Sequence, residues 1–151
     1  MIVSTKGRYA LLLMLDIAAN GTRGNIKIKD ISRRQGISVK YLEQIITILN
    51  KGGYVKSERG PQGGYRLAAK PGEITAGMIF RLMEGDSSQA PYPEDEMSEA
   101  PYSAVCITTI LWKRLSDAVD EVLDGTTLAD MLKWVPGNRL TEVPDSPEYC
   151  I

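Results

Sequence analysis

At 151 residues, with 43% hydrophobic and 25% charged content, the chain fits one globular domain, or a small domain with an appendage. The longest apolar run, residues 10–15, is far short of a membrane span. The N-terminus shows no signal-peptide cleavage pattern, and two cysteines, Cys106 and Cys150, cannot make a disulfide framework, so a cytoplasmic protein without membrane contact is expected. The net charge of −1 hides a polarity: residues 1–70 carry 13 Lys and Arg against 4 Asp and Glu, and residues 71–151 the remaining 5 against 15. The first half suits a polyanion and the second is repelled by one.

In chain order, Ser4 or Thr5 caps a first helix that runs to about Ala19 and ends at Asn20-Gly21. Leu11, Leu12, Leu13, Met14, Leu15 and Ile17 make it apolar around much of its circumference, which implies burial on more than one side. A second helix over 29–35 starts beside Ile28, with Ile31 facing inward. Gly36 makes the turn, and Ser38 caps a third helix that reaches about Lys51. Leu42, Ile45, Ile46 and Leu49 sit at helical spacing and turn inward, leaving Lys40, Tyr41, Glu43, Gln44 and Thr47 on the open side or near the helix start. A short helix, a tight turn and a second helix are what a protein needs to place one helix in the major groove of DNA.

After Gly52-Gly53, strand-like pieces over 55–59 and 65–67 bracket Gly60-Pro61-Gln62-Gly63-Gly64, a glycine-rich hairpin tip flanked by Arg59 and Arg66. This is a wing, placed to reach a neighbouring groove or backbone. Pro71-Gly72 ends it, and a helix follows over 74–84 with Thr75 near its start. Residues 86–101, rich in Pro, Ser and acids, read as a flexible acidic loop.

From 102 to 123 the pattern is a long amphipathic helix. Ala104, Thr108, Leu111, Leu115, Ala118 and Val122 alternate at spacings of four and three, with a second row, Val105, Trp112, Val119 and Leu123, beside them. Two rows exceed what a small globule covers, and the repeat has the geometry of helix–helix seams. A homodimer is expected, with Leu111, Leu115, Ala118 and Val122 at its interface, because two symmetric modules read a palindrome. Gly125-Thr126-Thr127 breaks and recaps the chain, a short helix covers 128–134, and the proline-containing tail from 136 is expected to be loose. The expected fold is mostly α with a small β-wing: a winged helix-turn-helix over 1–84, the acidic loop over 85–101, dimerisation and packing helices over 102–134, and a tail over 135–151.

Ser4-Thr5-Lys6-Gly7-Arg8-Tyr9-Ala10, Gly36-Ile37-Ser38, Tyr41-Leu42-Glu43-Gln44, Arg59-Gly60-Pro61-Gln62-Gly63-Gly64-Tyr65 and Leu111-Trp112 followed by Leu115-Ser116-Asp117 together resemble the Rrf-two family of bacterial winged-helix repressors. The resemblance runs from Met1 to about Trp134 and implies a homodimer on a palindromic operator. It implies DNA contacts by Thr5, Lys6, Arg8, Tyr9, Ser38, Lys40, Tyr41, Glu43, Gln44, Arg59, Gly60, Gln62 and Gly63. In that reading Arg59 enters the minor groove from the wing and Glu43 faces the major groove. Thr5, Lys6 and Arg8 set register on phosphates, and the wing glycines let backbone approach the sugar-phosphate strand.

Many members of that family hold an iron–sulfur cluster on three cysteines with a histidine or another ligand. Here only Cys106 matches, Thr109 stands where a histidine is expected, and the chain has no His. No cofactor is therefore expected, since cluster iron wants several thiolates. The missing ligands shift the likeness to the cluster-less, CymR-type members, which repress cysteine and sulfur metabolism genes and act with cysteine synthase. The ending Tyr149, Cys150, Ile151, after acidic residues, looks like the C-terminal carboxylate anchor that such an enzyme accepts. An alternative control is a thiol switch at Cys106, since a helix N-terminal position depresses a thiol pKa. An alternative of another class is a protein-interaction module that kept the fold but not DNA binding. Enzymatic chemistry is not expected: there is no His, no nucleophile elbow, and the wing glycines join strands instead of opening a phosphate-binding helix.

Overall fold

The computed structural model describes residues 4–85 and 104–136. In order, these form helix α1 (Thr5–Asn20), a 3₁₀ turn (Gly21–Arg23), α2 (Ile28–Gln35), α3 (Val39–Lys51), strands β1 (Val55–Glu58) and β2 (Gly64–Leu67), a second 3₁₀ turn (Pro71–Glu73), α4 (Ala76–Glu84), α5 (Ala104–Gly125) and α6 (Leu128–Lys133). The expected acidic loop and the tail beyond Pro136 lie outside the described residues.

Hydroxyl side chains decide where four helices begin. Ser4 accepts from the Gly7 amide (3.0 Å), Ser38 from Tyr41 (3.3 Å), Thr75 from Met78 (3.2 Å) and Thr127 from Asp130 (3.1 Å). Each satisfies an amide that the first helical turn leaves without a partner, worth about 1 kcal/mol. Between α2 and α3 the chain reverses at Gly36, whose φ of 66° is left-handed and admits glycine without a Cβ penalty.

Helix α1 is the centre of the molecule. Leu13, Met14 and Ile17 join Ile31 of α2, Leu42, Ile45, Ile46 and Leu49 of α3, Val55 of β1, Ile79 and Met83 of α4 and Leu128 of α6 in one buried cluster. Each fully buried aliphatic side chain contributes roughly 1.5–3 kcal/mol. The apolar girdle of α1 is not wholly covered: Leu11, Leu12 and Leu15, with Arg8, Gln35, Phe80 and Val135, line an open groove of about 480 Å³.

One charge lies inside. Asp16 is fully buried, accepting from Arg34 Nε (3.1 Å) and Nη2, Gln35 Nε2 (2.8 Å) and Asn20 Nδ2 (3.3 Å). This network bolts the end of α2 to α1 and sets the angle at which the helix-turn-helix leaves the core.

Helix α6 packs against the winged-helix core. Its Leu128 is buried in the α1 cluster, and the segment before it pairs with the start of α4 through Ala76 N–H to Thr126 O and Leu128 N–H to Ile74 O, both 2.9 Å. An Arg81–Asp124 ion pair adds to this seam. Helix α5 buries no residue completely. Thr109, Ser116, Val119 and Leu123 are half-buried, whereas Leu111 (58% exposed), Leu115, Ala118 and Val122 (66%) lie in the open. Among the described residues no helix is long and apolar enough to cross a membrane.

Candidate nucleic-acid interface

The residues that the sequence assigns to DNA contact lie on three pieces of backbone: the start of α1, the start of α3, and the tip of the β1–β2 hairpin. Buried Leu42, Ile45, Ile46 and Leu49 fix the rotation of α3 about its axis, so Lys40, Glu43, Gln44 and Thr47 are exposed. The Thr47 hydroxyl is spent on the Glu43 carbonyl (2.7 Å), which leaves Lys40, Glu43 and Gln44 as the available polar heads. A lysine, a carboxylate and an amide offer donors and acceptors in the mixture that base edges in the major groove require.

The start of α1 is tied to the start of α3 by Tyr9 and Tyr41, whose rings meet edge-to-face at 5.5 Å with planes at 85°. Such a pair contributes about 0.5–1.5 kcal/mol beyond its burial. Both rings are half-buried. Thr5, Lys6 and Arg8 are exposed on the first two turns of α1, and Thr5 and Arg8 border a small cleft with Tyr9 and Leu12. Lys6, about 100° around the helix from Thr5, is not in that cleft. Ser38 is exposed and used as the α3 cap.

The hairpin pairs Val55 with Leu67 through Glu58 with Gly64, in antiparallel register. A single bridge adds a third edge: Ile26 and Tyr65 exchange two hydrogen bonds, each 2.8 Å. Arg59, Gly60 and Gln62 are exposed at the tip. Gly63, placed by sequence among the DNA-contacting residues, is buried. A Cβ there would strike the Glu58 and Gly60 carbonyls, and its N–H donates to Gly60 O at 2.9 Å. It shapes the tip from within.

At the base of the tip Asn25 Nδ2 donates to Glu58 Oε2 (2.8 Å) and to Gln62 O (3.0 Å), while Arg66 Nε donates to Glu58 Oε1 (3.1 Å). The hydrogen bonds from Asn25, first, and Arg66 hold the Glu58 carboxyl below the ordinary carboxylate range. Sequence reading missed Asn25, the Tyr9–Tyr41 contact and the Asp16 network. The partners lie far apart in sequence, and only the Gly24-Asn25 turn preceding a β-prone Ile26 hinted at the first.

The sequence model of the Rrf2 family, described as an iron-dependent transcriptional regulator, matches residues 3–134. The chain belongs to the Rrf2 family. It is 40% identical over 145 residues to the HTH-type transcriptional regulator IscR of Aliivibrio salmonicida, covering 96% of this chain and 83% of the relative. It is 41% identical over 139 residues to the HTH-type transcriptional regulator CymR of Bacillus subtilis, covering 92% and 95%. The solved structure of CymR (YrzC), the global cysteine regulator of B. subtilis, superposes with a TM-score of 0.78 at 41% identity, covering 89% of this chain and 98% of that one. The winged-helix fold and a role as an Rrf2-type DNA-binding transcriptional regulator follow, and no enzymatic family is indicated.

The iron named in the family description meets a poor donor set in this Rrf2 protein. Cys106, half-exposed on the first turn of α5, is the one cysteine among the described residues, and no group of three His, Cys, Asp or Glu there has metal-binding geometry. With two cysteines and no histidine in the whole chain, the residues do not fit a family-type cluster.

Proposed function

We propose that this Rrf2 protein is a homodimeric repressor that binds a palindromic operator and works without an iron–sulfur cluster. The observation that carries this reading is the pairing of two exposed surfaces. One is the mixed polar face of α3, together with exposed Arg8 on α1 and Arg59 at the wing tip. The other is the outward apolar row Leu111, Leu115, Ala118 and Val122 on α5. An apolar row of that length at seam spacing asks for a helical partner, and a second copy supplies one with the symmetry that a palindrome needs.

Arg59 at the wing tip then enters the minor groove, Glu43 accepts from a cytosine amine, and Lys40, Tyr41 and Gln44 add base or phosphate contacts. Thr5, Lys6 and Arg8 fix register on phosphates, joined by Tyr9, Ser38 and the exposed backbone at Gly60 and Gln62. The test is a mobility shift with a palindromic duplex selected from a random-sequence pool, run beside sedimentation of the free protein. A dimer that shifts the duplex is expected. A monomer, or a protein that retains no duplex at modest salt, overturns the reading.

The regulated genes in this reading are those of cysteine and sulfur metabolism. The likeness to a regulator named for cysteine and the poor donor set for a cluster support it. Complex formation with cysteine synthase through Tyr149, Cys150 and Ile151, which lie outside the described residues, would carry the signal. Deleting those three residues should abolish association with the synthase in a calorimetric titration and leave the dimer intact. Equal binding by the truncated chain disposes of the anchor.

A further inference from the structure

We propose that Asn25, which lies in neither the recognition helix nor the wing, is a positioning residue for DNA binding that clamps the wing tip into shape before a duplex arrives. The inference rests on the DNA-binding reading above and extends it to a residue that touches no base or phosphate in that reading.

The geometry is specific to an amide. Asn25 Nδ2 carries two N–H groups and meets two acceptors, the Glu58 carboxylate at 2.8 Å and the Gln62 carbonyl at 3.0 Å. Both partners are acceptors only, so the NH₂ end must face them, and an aspartate in its place would oppose a second carboxylate. Glu58 ends β1 and Gln62 lies in the turn itself, so the two bonds tie the turn to the end of β1 and pin the loop that displays Arg59, Gly60 and Pro61.

Three further contacts hold the clamp. The Ile26–Tyr65 bridge anchors the residue next to Asn25 on β2. Arg66 engages the other Glu58 oxygen, and the Gly63 amide closes the loop onto Gly60 O. The depressed Glu58 pKa keeps that acceptor charged throughout the neutral range. A free five-residue tip, 59–63, must be ordered at the moment of binding, and a tip already closed avoids that entropic cost.

The experiment uses the full chain and a palindromic duplex that the unsubstituted protein selects from a random pool. Asn25→Ala, Arg59→Ala and the double variant are titrated by fluorescence anisotropy, with Tm measured for each. Asn25→Ala should weaken binding roughly five-fold, through lost pre-ordering, with Tm within about 2 °C of the parent. In the Arg59→Ala background the same change should cost less than about two-fold, because the group it positions is gone. Asn25→Asp should weaken binding at least as much as Asn25→Ala, since its carboxylate faces Glu58.

An unchanged Kd for Asn25→Ala overturns the clamp. So does an equal loss in both backgrounds, or a loss that tracks a fall in Tm. If the unsubstituted chain selects no duplex, the DNA-binding reading fails and the clamp falls with it; if it binds and only the cycle is additive, the clamp alone fails.

Discussion

Asp16 shows how one side chain can govern a whole motif without belonging to its surface. It is fully buried, and its neutralisation rests on Arg34, with Gln35 and Asn20 taking the remaining lone pairs. A buried charge stripped of its counterion destabilises far more than the intact pair stabilises. Arg34→Ala should therefore cost about 3 kcal/mol in urea unfolding, although the arginine retains some solvent contact. The loss should exceed that for Arg33→Ala, since Arg33 pairs with Asp30 in the open. At the wing tip, Arg59→Ala should leave unfolding unchanged and weaken operator binding by roughly 1–3 kcal/mol, read by anisotropy at fixed salt. Gly63→Ala works from within: a Cβ must displace two carbonyls of the tip, so binding should fall even though this residue is buried.

At the level of elements, α5 and α6 make opposite demands. The open row on α5 has no partner among the described residues, so a charge there should be tolerated by one subunit and resisted by two. Leu115→Glu is expected to sediment as a folded monomer and to lose the affinity that two half-sites provide. Helix α6 depends on its first turn. The Thr127 hydroxyl and amide, with Lys133, hold the Asp130 carboxyl below its ordinary value of 3.8. A depressed folded pKa contributes stability that is present above that value and lost as pH falls through the folded one. Thermal melts taken from pH 6 downward should show an acid-dependent loss that Asp130→Asn flattens.

The same elements show what sequence could and could not reveal. Apolar spacing in α3, hydroxyl caps at Ser4, Ser38 and Thr75, and the left-handed turn at Gly36 are local signals, and they yielded the helices and the fold class. The exposure of Lys40, Glu43 and Gln44 followed from the same periodicity, and that of Arg59 from the glycine-rich tip beside it. Asn25 with Glu58, Tyr9 with Tyr41, and Asp16 with Arg34 meet only after the chain packs, and a single polar residue in a loop or an apolar helix carries no mark of its partner. Gly63 was ambiguous because a glycine in a tip signals either close approach by a ligand or close approach by its own backbone. The burial of Leu128 against α1 was hidden by the distance between them in sequence.

For the molecule as a whole, charge is distributed so that binding should be steeply salt-dependent. Lys6, Arg8, Lys40 and Arg59 are exposed, and in the proposed reading each copy turns them toward DNA. A dimer that displaces counterions from about 6–10 phosphates loses roughly 10³-fold or more in affinity between 50 and 200 mM salt. A titration over that range should give a steep negative slope in log Kobs against log salt, and Lys6→Ala should reduce it by about two units, one for each subunit. A flat response would remove the phosphate contacts from the account.

The seam between Ile74 and Leu128 also says how this protein would break. A protease cut anywhere between residues 86 and 103 severs the covalent path from the winged helix to α5, yet Leu128 remains inside the core built on Leu13 and Ile17. The two fragments should elute as one particle until denaturant parts them. Produced separately, the piece ending at Glu84 should lack the plug that seals its interior, and mixing it with its complement should restore a cooperative melt.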